Sequence, residues 1–204
     1  MITKKYIPPV LMSAHFMHLC ILCASKQDIN LVVLGAKYSG KTELWFRLRD
    51  KKRPKGTTDN TAKEKIESFT LKSKEGSIRL NASIDIGGDN SWVRDYDNII
   101  HNNSIIYYLL DVTQLNKDTS TQQAQLRKIG TLLKNYNCKL TLLGTFFDQY
   151  DGDEEKARKE IKKNFKDIVG LSIHDLPIIL INTTDGACID RIKSDIIQNS
   201  KLFN

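Results

Sequence analysis

At 204 residues the chain has the length of one domain and can close a full apolar core. Its 40% apolar and 27% charged residues are those of an ordinary globular protein, which excludes a disordered or fibrous chain. The net charge of +7 is moderate and lies in patches, at residues 51–55 and 156–166, without the interleaved aromatics of a base-stacking surface. Nucleic-acid binding is therefore not expected, and these runs read as solvated faces or as a surface for an acidic lipid or partner.

Residues 10–24 form an apolar run preceded by Lys4 and Lys5. The run falls short of the ~18 apolar residues of a membrane span and contains His15 and His18. A helix packed on the domain or lying in a membrane interface is expected instead of a span or a cleaved leader. His15, His18, Cys20 and Cys23 lack the second ligand knuckle of a structural zinc site. With Cys138 and Cys188 the cysteines number four, too few for a disulfide scaffold, and they fit a reducing compartment. With Ile at position 2, an N-myristoylation signal is not expected.

The apolar run Leu31, Val32, Val33, Leu34 leads directly into Gly35-Ala36-Lys37-Tyr38-Ser39-Gly40-Lys41-Thr42, a full match to G-x-x-x-x-G-K-[ST]. After it, residues 43–49 read as a helix with Leu44 and Leu48 on one face. A buried strand before and a helix after give the motif the context of a phosphate-binding loop, against a glycine-bearing turn that merely spells it. The glycines let the backbone wrap a phosphate while successive N–H groups point inward, and the helix adds its positive end. Lys41 is expected to reach the β- and γ-phosphates and the Thr42 hydroxyl to ligate Mg²⁺.

Residues 51–61 are polar and read as an exposed loop. Phe69 and Leu71 alternate, Ser73-Lys74-Glu75-Gly76 turns the chain, and Ile78, Leu80, Ala82, Ile84 and Ile86 alternate without a break, which predicts a β-hairpin. Strand then helix follows three times: residues 105–110 before 122–136, 140–143 before 154–168, and 178–181 before 189–197. Leu126, Ile129, Leu133 and Tyr136, then Ile161, Phe165 and Ile168, then Ile189, Ile192 and Ile196 form apolar stripes at helical spacing. The expected fold is α/β of the P-loop NTPase type: about six strands in a mostly parallel sheet, one antiparallel edge strand, and helices on both faces.

If the loop at Gly35 holds phosphates, other strand ends must supply a metal-ordering acid. The strand at residues 78–86 closes on Asp85-Ile86-Gly87-Gly88, where Asp85 can hold Mg²⁺ through water and the Gly88 N–H can meet a γ-phosphate.

With that element the chain resembles the small GTPases of the Ras superfamily, most closely the Arf-like branch, whose D-V-G-G the Asp85 tetrapeptide is similar to. The resemblance divides the chain into an N-terminal apolar helical extension, residues 1–28, and a GTPase domain, residues 29–204. Leu143-Gly144-Thr145-Phe146-Phe147-Asp148 is similar to the guanine-reading element, N-K-x-D in the family and T-K-x-D or T-H-x-D in Roc domains and the Tem/Spg group. The resemblance implies that Asp148 accepts the two guanine hydrogens that adenine lacks. It implies that Thr145 ties this loop to the phosphate loop as the family's Asn does. Phe146 stands in place of the Lys that lies along the base, and either stacks there or packs half-buried against the next helix. The family's S-A-K falls at Thr183-Thr184-Asp185, with backbone contact expected near Thr184.

The resemblance further places Thr61, with Thr58 and Thr57 as rivals, where a Thr closes on Mg²⁺ and the γ-phosphate. The nucleotide-binding residues it implies are Gly35, Lys37, Tyr38, Ser39, Gly40, Lys41, Thr42, Glu43, Gly88, Thr145, Phe146, Asp148 and Thr184; those at the reacting phosphate are Lys41, Thr61, Gly88 and Asp89; Mg²⁺ would rest on Thr42, Thr61 and Asp85. Asp89 occupies the position of the water-orienting Gln. A shorter, anionic side chain there is a poor substitute unless protonated or held by a cation, so unassisted hydrolysis should be slow. Lys37 either supplies a positive charge in cis or points to solvent.

The implied function is a GTP/GDP switch requiring Mg²⁺, cytoplasmic, with peripheral membrane contact through residues 1–28. Effector, exchange-factor or activating proteins would read residues 51–62 and 89–100, where Trp92 and Tyr96 are either partner anchors or packed against the sheet. The alternative is a catalytically weak guanine-nucleotide-binding scaffold. A P-loop ATPase or small-molecule kinase is disfavoured by Asp85-Ile86-Gly87-Gly88 and Asp148.

Overall fold

In the computed structural model, which describes residues 29–54 and 63–203, the strands in chain order are β1 (Asn30–Gly35), β2 (Lys63–Ile66), β3 (Phe69–Ser73), β4 (Gly76–Leu80), β5 (Ser83–Ile86), β6 (Ser104–Asp111), β7 (Cys138–Thr145) and β8 (Ile178–Leu180). The helices are α1 (Lys41–Leu48), the single turn α2 (Tyr96–Ile99), α3 (Ser120–Leu132), α4 (Glu154–Phe165) and α5 (Gly186–Ser200). The expected N-terminal helix, and Thr57, Thr58 and Thr61, lie outside the described residues. Among the described residues no helix is long and apolar enough to cross a membrane.

A parallel sheet in the order β1-β6-β7-β8 forms the centre. Its strands are apolar on both faces because both are covered. Val32, Leu34, Ile106, Tyr108, Leu110 and Leu142 point toward Leu126 and Ile129 of α3 and Ile161 and Phe165 of α4. The alternate residues Leu31, Val33, Ile105, Tyr107 and Leu109 point toward Leu44, Trp45 and Leu48 of α1 and Ile189, Ile192 and Ile196 of α5. Asp153 and Asp185 cap α4 and α5, accepting from the N–H groups of Lys156 and Ala187. This is the expected α/β fold with helices on both faces.

The antiparallel part differs in one respect. β2 pairs with β5 and β3 with β4, and every pair from Lys63↔Ile86 to Ser73↔Gly76 keeps one register, so the four strands are two arms of a single hairpin. The hairpin lies beside β1 through the parallel bridge Ile29↔Leu80 and the Ser83 hydroxyl, which donates to the Leu31 carbonyl at 2.8 Å. Both arms break together, at residues 67–68 and 81–82, where sequence alternation predicted an uninterrupted strand. The break inverts side-chain parity: Ile78 and Leu80 pack on the α5 side, whereas Ile84 and Ile86 pack on the α3 side. Asp85 is thereby buried at the strand end, with 1% of its surface exposed.

Candidate functional site

β1 ends at Gly35, where φ is +144° and a Cβ would lie 2.4 Å from the Leu109 carbonyl oxygen, so only glycine fits. The chain turns through residues 36–39 and enters α1 at Gly40, φ +88°, with no side chain capping the helix. The first N–H groups of α1 therefore open into the loop, as an anion site requires.

Lys41 folds back across this loop, its Nζ donating to the Ala36 carbonyl at 2.8 Å. It is only 7% exposed, and burial pushes its ammonium down to about 8, against the pull of Asp85 and Asp89. The Thr42 hydroxyl donates to Asp85 Oδ2 at 2.7 Å. Burial pushes the Asp85 carboxyl up, partly offset by that hydrogen bond and by Lys41. Asp85 Oδ1 and Ser39 Oγ are buried without a hydrogen-bond partner among the described residues.

Above these groups lies a cleft of about 920 Å³. Among the described residues Lys37, Lys41, Arg47, Lys52 and Arg53 line it against two acids, Glu43 and Asp89, an excess of cations that suits a polyphosphate. Arg47, Lys52, Arg53 and Ser91 were not singled out as nucleotide-site residues from sequence, and Thr183 was named only as part of the element Thr183-Thr184-Asp185. The basic run at 51–55 was the available signal, and reading it as a solvated face or as a surface for an acidic lipid or partner missed that Lys52 and Arg53 border the cleft. Lys37 is exposed on the rim, with Nζ 4.9 Å from the ring centroid of Tyr38, itself 59% exposed.

Gly88 sits against the phosphate loop so closely that a Cβ would lie 2.2 Å from the Lys37 nitrogen. Asp89 follows it at the surface and caps the 3₁₀ turn Asn90–Asp95, accepting from the Ser91 N–H at 3.0 Å and from the Ser91 hydroxyl. These bonds hold its carboxyl below the usual range, with Lys37 and Lys41 adding to the effect, so it is ionised at neutral pH. Trp92 is half-buried at the edge of the cleft, whereas Tyr96 is 1% exposed and belongs to the core, so of the two readings of Tyr96 the packed one holds.

On the far side, Phe146 adopts a left-handed conformation, φ 58°, at the end of β7. Phe146 and Thr183 flank the phosphate loop: a Cβ on Gly40 would lie 3.4 Å from Thr183 Cγ2 and 4.0 Å from Phe146 Cζ. The expected tie from Thr145 to the phosphate loop is not made. Its buried hydroxyl instead donates to the Leu110 carbonyl at 3.1 Å, bracing β7 to β6, and that bond uses its one proton. The aromatic ring beside Gly40 takes over the approach between the two loops. Thr184 lines the cleft, but its N–H and hydroxyl both donate to Asn182 Oδ1, at 2.9 and 2.7 Å, so the backbone group expected to contact the base is already engaged. Asp148 lies in the 3₁₀ turn Phe147–Gln149, exposed, and is not among the residues lining the cleft.

The model of the ADP-ribosylation factor family matches residues 16–199. The chain belongs to that family. As a member of the ADP-ribosylation factor family it is a GTP-binding switch protein of the small GTPase type. No individual curated protein matches it. Among solved structures, the Trypanosoma brucei Arl6 BBS3 small GTPase with bound nucleotide analogue GppNp superposes with a TM-score of 0.58 at 12% identity, over 87% of this chain and 100% of that one. The Methanosarcina barkeri Roco2 RocCORdC bound to GDP gives a TM-score of 0.56 at 14% identity, over 85% of this chain. The match spans 49% of that longer protein. At such identities both establish the shared fold alone.

Proposed function

We propose that this ADP-ribosylation factor family member cycles between GTP and GDP with slow unassisted hydrolysis, and that Mg²⁺ serves the site. The observation that carries the metal is the Thr42–Asp85 contact of 2.7 Å with a buried, unpartnered Asp85 Oδ1 beside it. Among the described residues no three His, Cys, Asp or Glu side chains gather, which suits a hard ion held by one hydroxyl, one carboxylate, waters and phosphate oxygens. Thr42, Asp85 and Thr61 would hold it, and it would neutralise charge between the β- and γ-phosphates. Lys41 and the open N-terminus of α1 take the phosphates, Phe146 lies along the base, and Asp148 reads guanine. Residues 1–28 act as an extension that touches a membrane from the cytoplasm, and residues 51–62 and 89–100 meet effectors, exchange factors or activators.

The test of the nucleotide is a fluorescent-GTP titration with Mg²⁺, competed by GTP, GDP and ATP. Guanine nucleotides alone should displace the probe. Asp148→Ala should reduce the preference for GTP over ATP by at least about tenfold, since the carboxylate that pairs the guanine hydrogens is gone. Equal competition by ATP in the wild type would remove the guanine reading.

A second reading, the guanine-nucleotide scaffold with no useful turnover, is favoured by Asp89, which is ionised and committed to Ser91. Asp89→Gln should speed single-turnover phosphate release about tenfold by restoring a neutral side chain that can orient water. Persistent GTP in both proteins, even with a cognate activator, would favour the scaffold.

A further inference from the structure

Gln125 stands on the same buried face of α3 as Leu126 and Ile129, wholly buried, beside a layer built from aliphatic and aromatic side chains. A buried amide there is costly unless both its ends are bonded. Both are. Nε2 donates to the Gly88 carbonyl at 2.9 Å, and Oε1 accepts from the Tyr108 hydroxyl at 2.7 Å. The orientation of the amide is fixed by chemistry, because the Gly88 carbonyl can only accept and so must face the NH₂ group. Tyr108 is itself fully buried on β6, in the centre of the parallel sheet. The relay therefore runs from an interior strand of the parallel sheet, paired on both sides, through α3, to the residue that abuts the phosphate loop at Lys37.

The bonded carbonyl belongs to the peptide joining Gly88 to Asp89. Holding it from the core side fixes the direction in which the chain leaves β5 and begins residues 89–100. We infer that Gln125 is a positioning residue that holds Gly88 for the γ-phosphate and so sets the preference for GTP over GDP. The inference rests on the proposed GTP site and on the γ-phosphate contact expected there from the Gly88 N–H. Only the triphosphate makes that contact, so loosening Gly88 weakens GTP binding and leaves GDP binding intact. A purely structural amide would affect both alike.

The test compares affinities for a non-hydrolysable GTP analogue and for GDP in the full chain, with Mg²⁺, for wild type, Gln125→Met and Tyr108→Phe. Methionine keeps the length and volume of Gln125 and removes both hydrogen bonds. Its GTP-analogue affinity should fall about tenfold, with GDP affinity changed less than about twofold. Tyr108→Phe keeps the ring in place and leaves Gln125 Oε1 unpaired, and should shift the ratio the same way by about threefold. Thermal melting of the nucleotide-free variants establishes that each is folded, and Tyr108→Phe carries the test if Gln125→Met is not. Equal losses for both nucleotides, or an unchanged ratio in a folded variant, would overturn the inference alone. A wild type that binds neither guanine nucleotide would overturn the proposed function together with it.

Discussion

Gly88→Ala should lower nucleotide affinity by about a hundredfold or more while Gly186→Ala leaves it unchanged. The added methyl at Gly88 would lie 2.2 Å from the Lys37 nitrogen, 2.3 Å from the Ala36 carbonyl carbon and 2.5 Å from its oxygen. All three are main-chain atoms, so no rotamer change relieves the clash, and either the phosphate loop or the end of β5 must move by more than an ångström. Forced overpacking of this kind costs about 1–3 kcal/mol. Here the displaced element is the binding loop, so the cost falls on affinity as well as on stability. Gly186, at the start of α5, has no atom within 4 Å of its would-be Cβ and serves as the control. Fluorescent nucleotide titration and thermal melting measure the two effects. Wild-type affinity in Gly88→Ala would mean that the loop and strand end separate when nucleotide is bound.

Lys41→Met should move affinity and stability in opposite directions. Lys41 is nearly buried, and burial pushes its pKa down to about 8 from 10.5. Between those values the unfolded chain holds the proton and the nucleotide-free fold does not, so stability rises with pH through that window and is lowest below it. At pH 7 the charged amine costs the empty fold about 3 kcal/mol, partly offset by its bond to Ala36, worth about 1 kcal/mol. Methionine fills the same space without charge, and the nucleotide-free variant should be about 2 kcal/mol more stable. Its nucleotide affinity should fall by at least about a hundredfold, because charge-assisted bonds to phosphate are lost. In the wild type, affinity should decline as pH rises above about 8, with proton uptake on binding detectable by calorimetry in buffers of different ionisation enthalpy. A fall in stability alongside affinity would show that Lys41 holds the loop together and does not strain it.

The phosphate loop, the strand ending in Asp85, and the three strand–helix repeats were readable because each is written in contiguous residues with a fixed period. The hairpin was readable in outline, since Ser73 to Gly76 is a local turn signal. Its internal break was not, because Ile78 to Ile86 alternate as smoothly as an unbroken strand, and what divides them is which helical layer each half meets. Hydrogen-bond partners across the fold were also illegible. Nothing in the spacing around Thr145 says that its hydroxyl turns to Leu110, and Gln125 reads as one more polar residue of a helix until Gly88 and Tyr108 are brought to it. Lys52 and Arg53 were hidden for a different reason: a basic run carries no mark of the cleft it borders until the fold supplies one.

The matched breaks in the hairpin have a bearing on how this chain can change over evolutionary time. Pairs on both sides of the break share one register. A residue gained or lost at 67–68 alone would slide β2 against β5, turning Ile66 out of the core and shifting the partner of Asp85. Only a compensating change at 81–82 restores it. Length drift in this half of the fold is thus directed to the tip at residues 73–76, where a Cβ added at Gly76 would meet no other atom within 4 Å, and the arms evolve as a coupled pair.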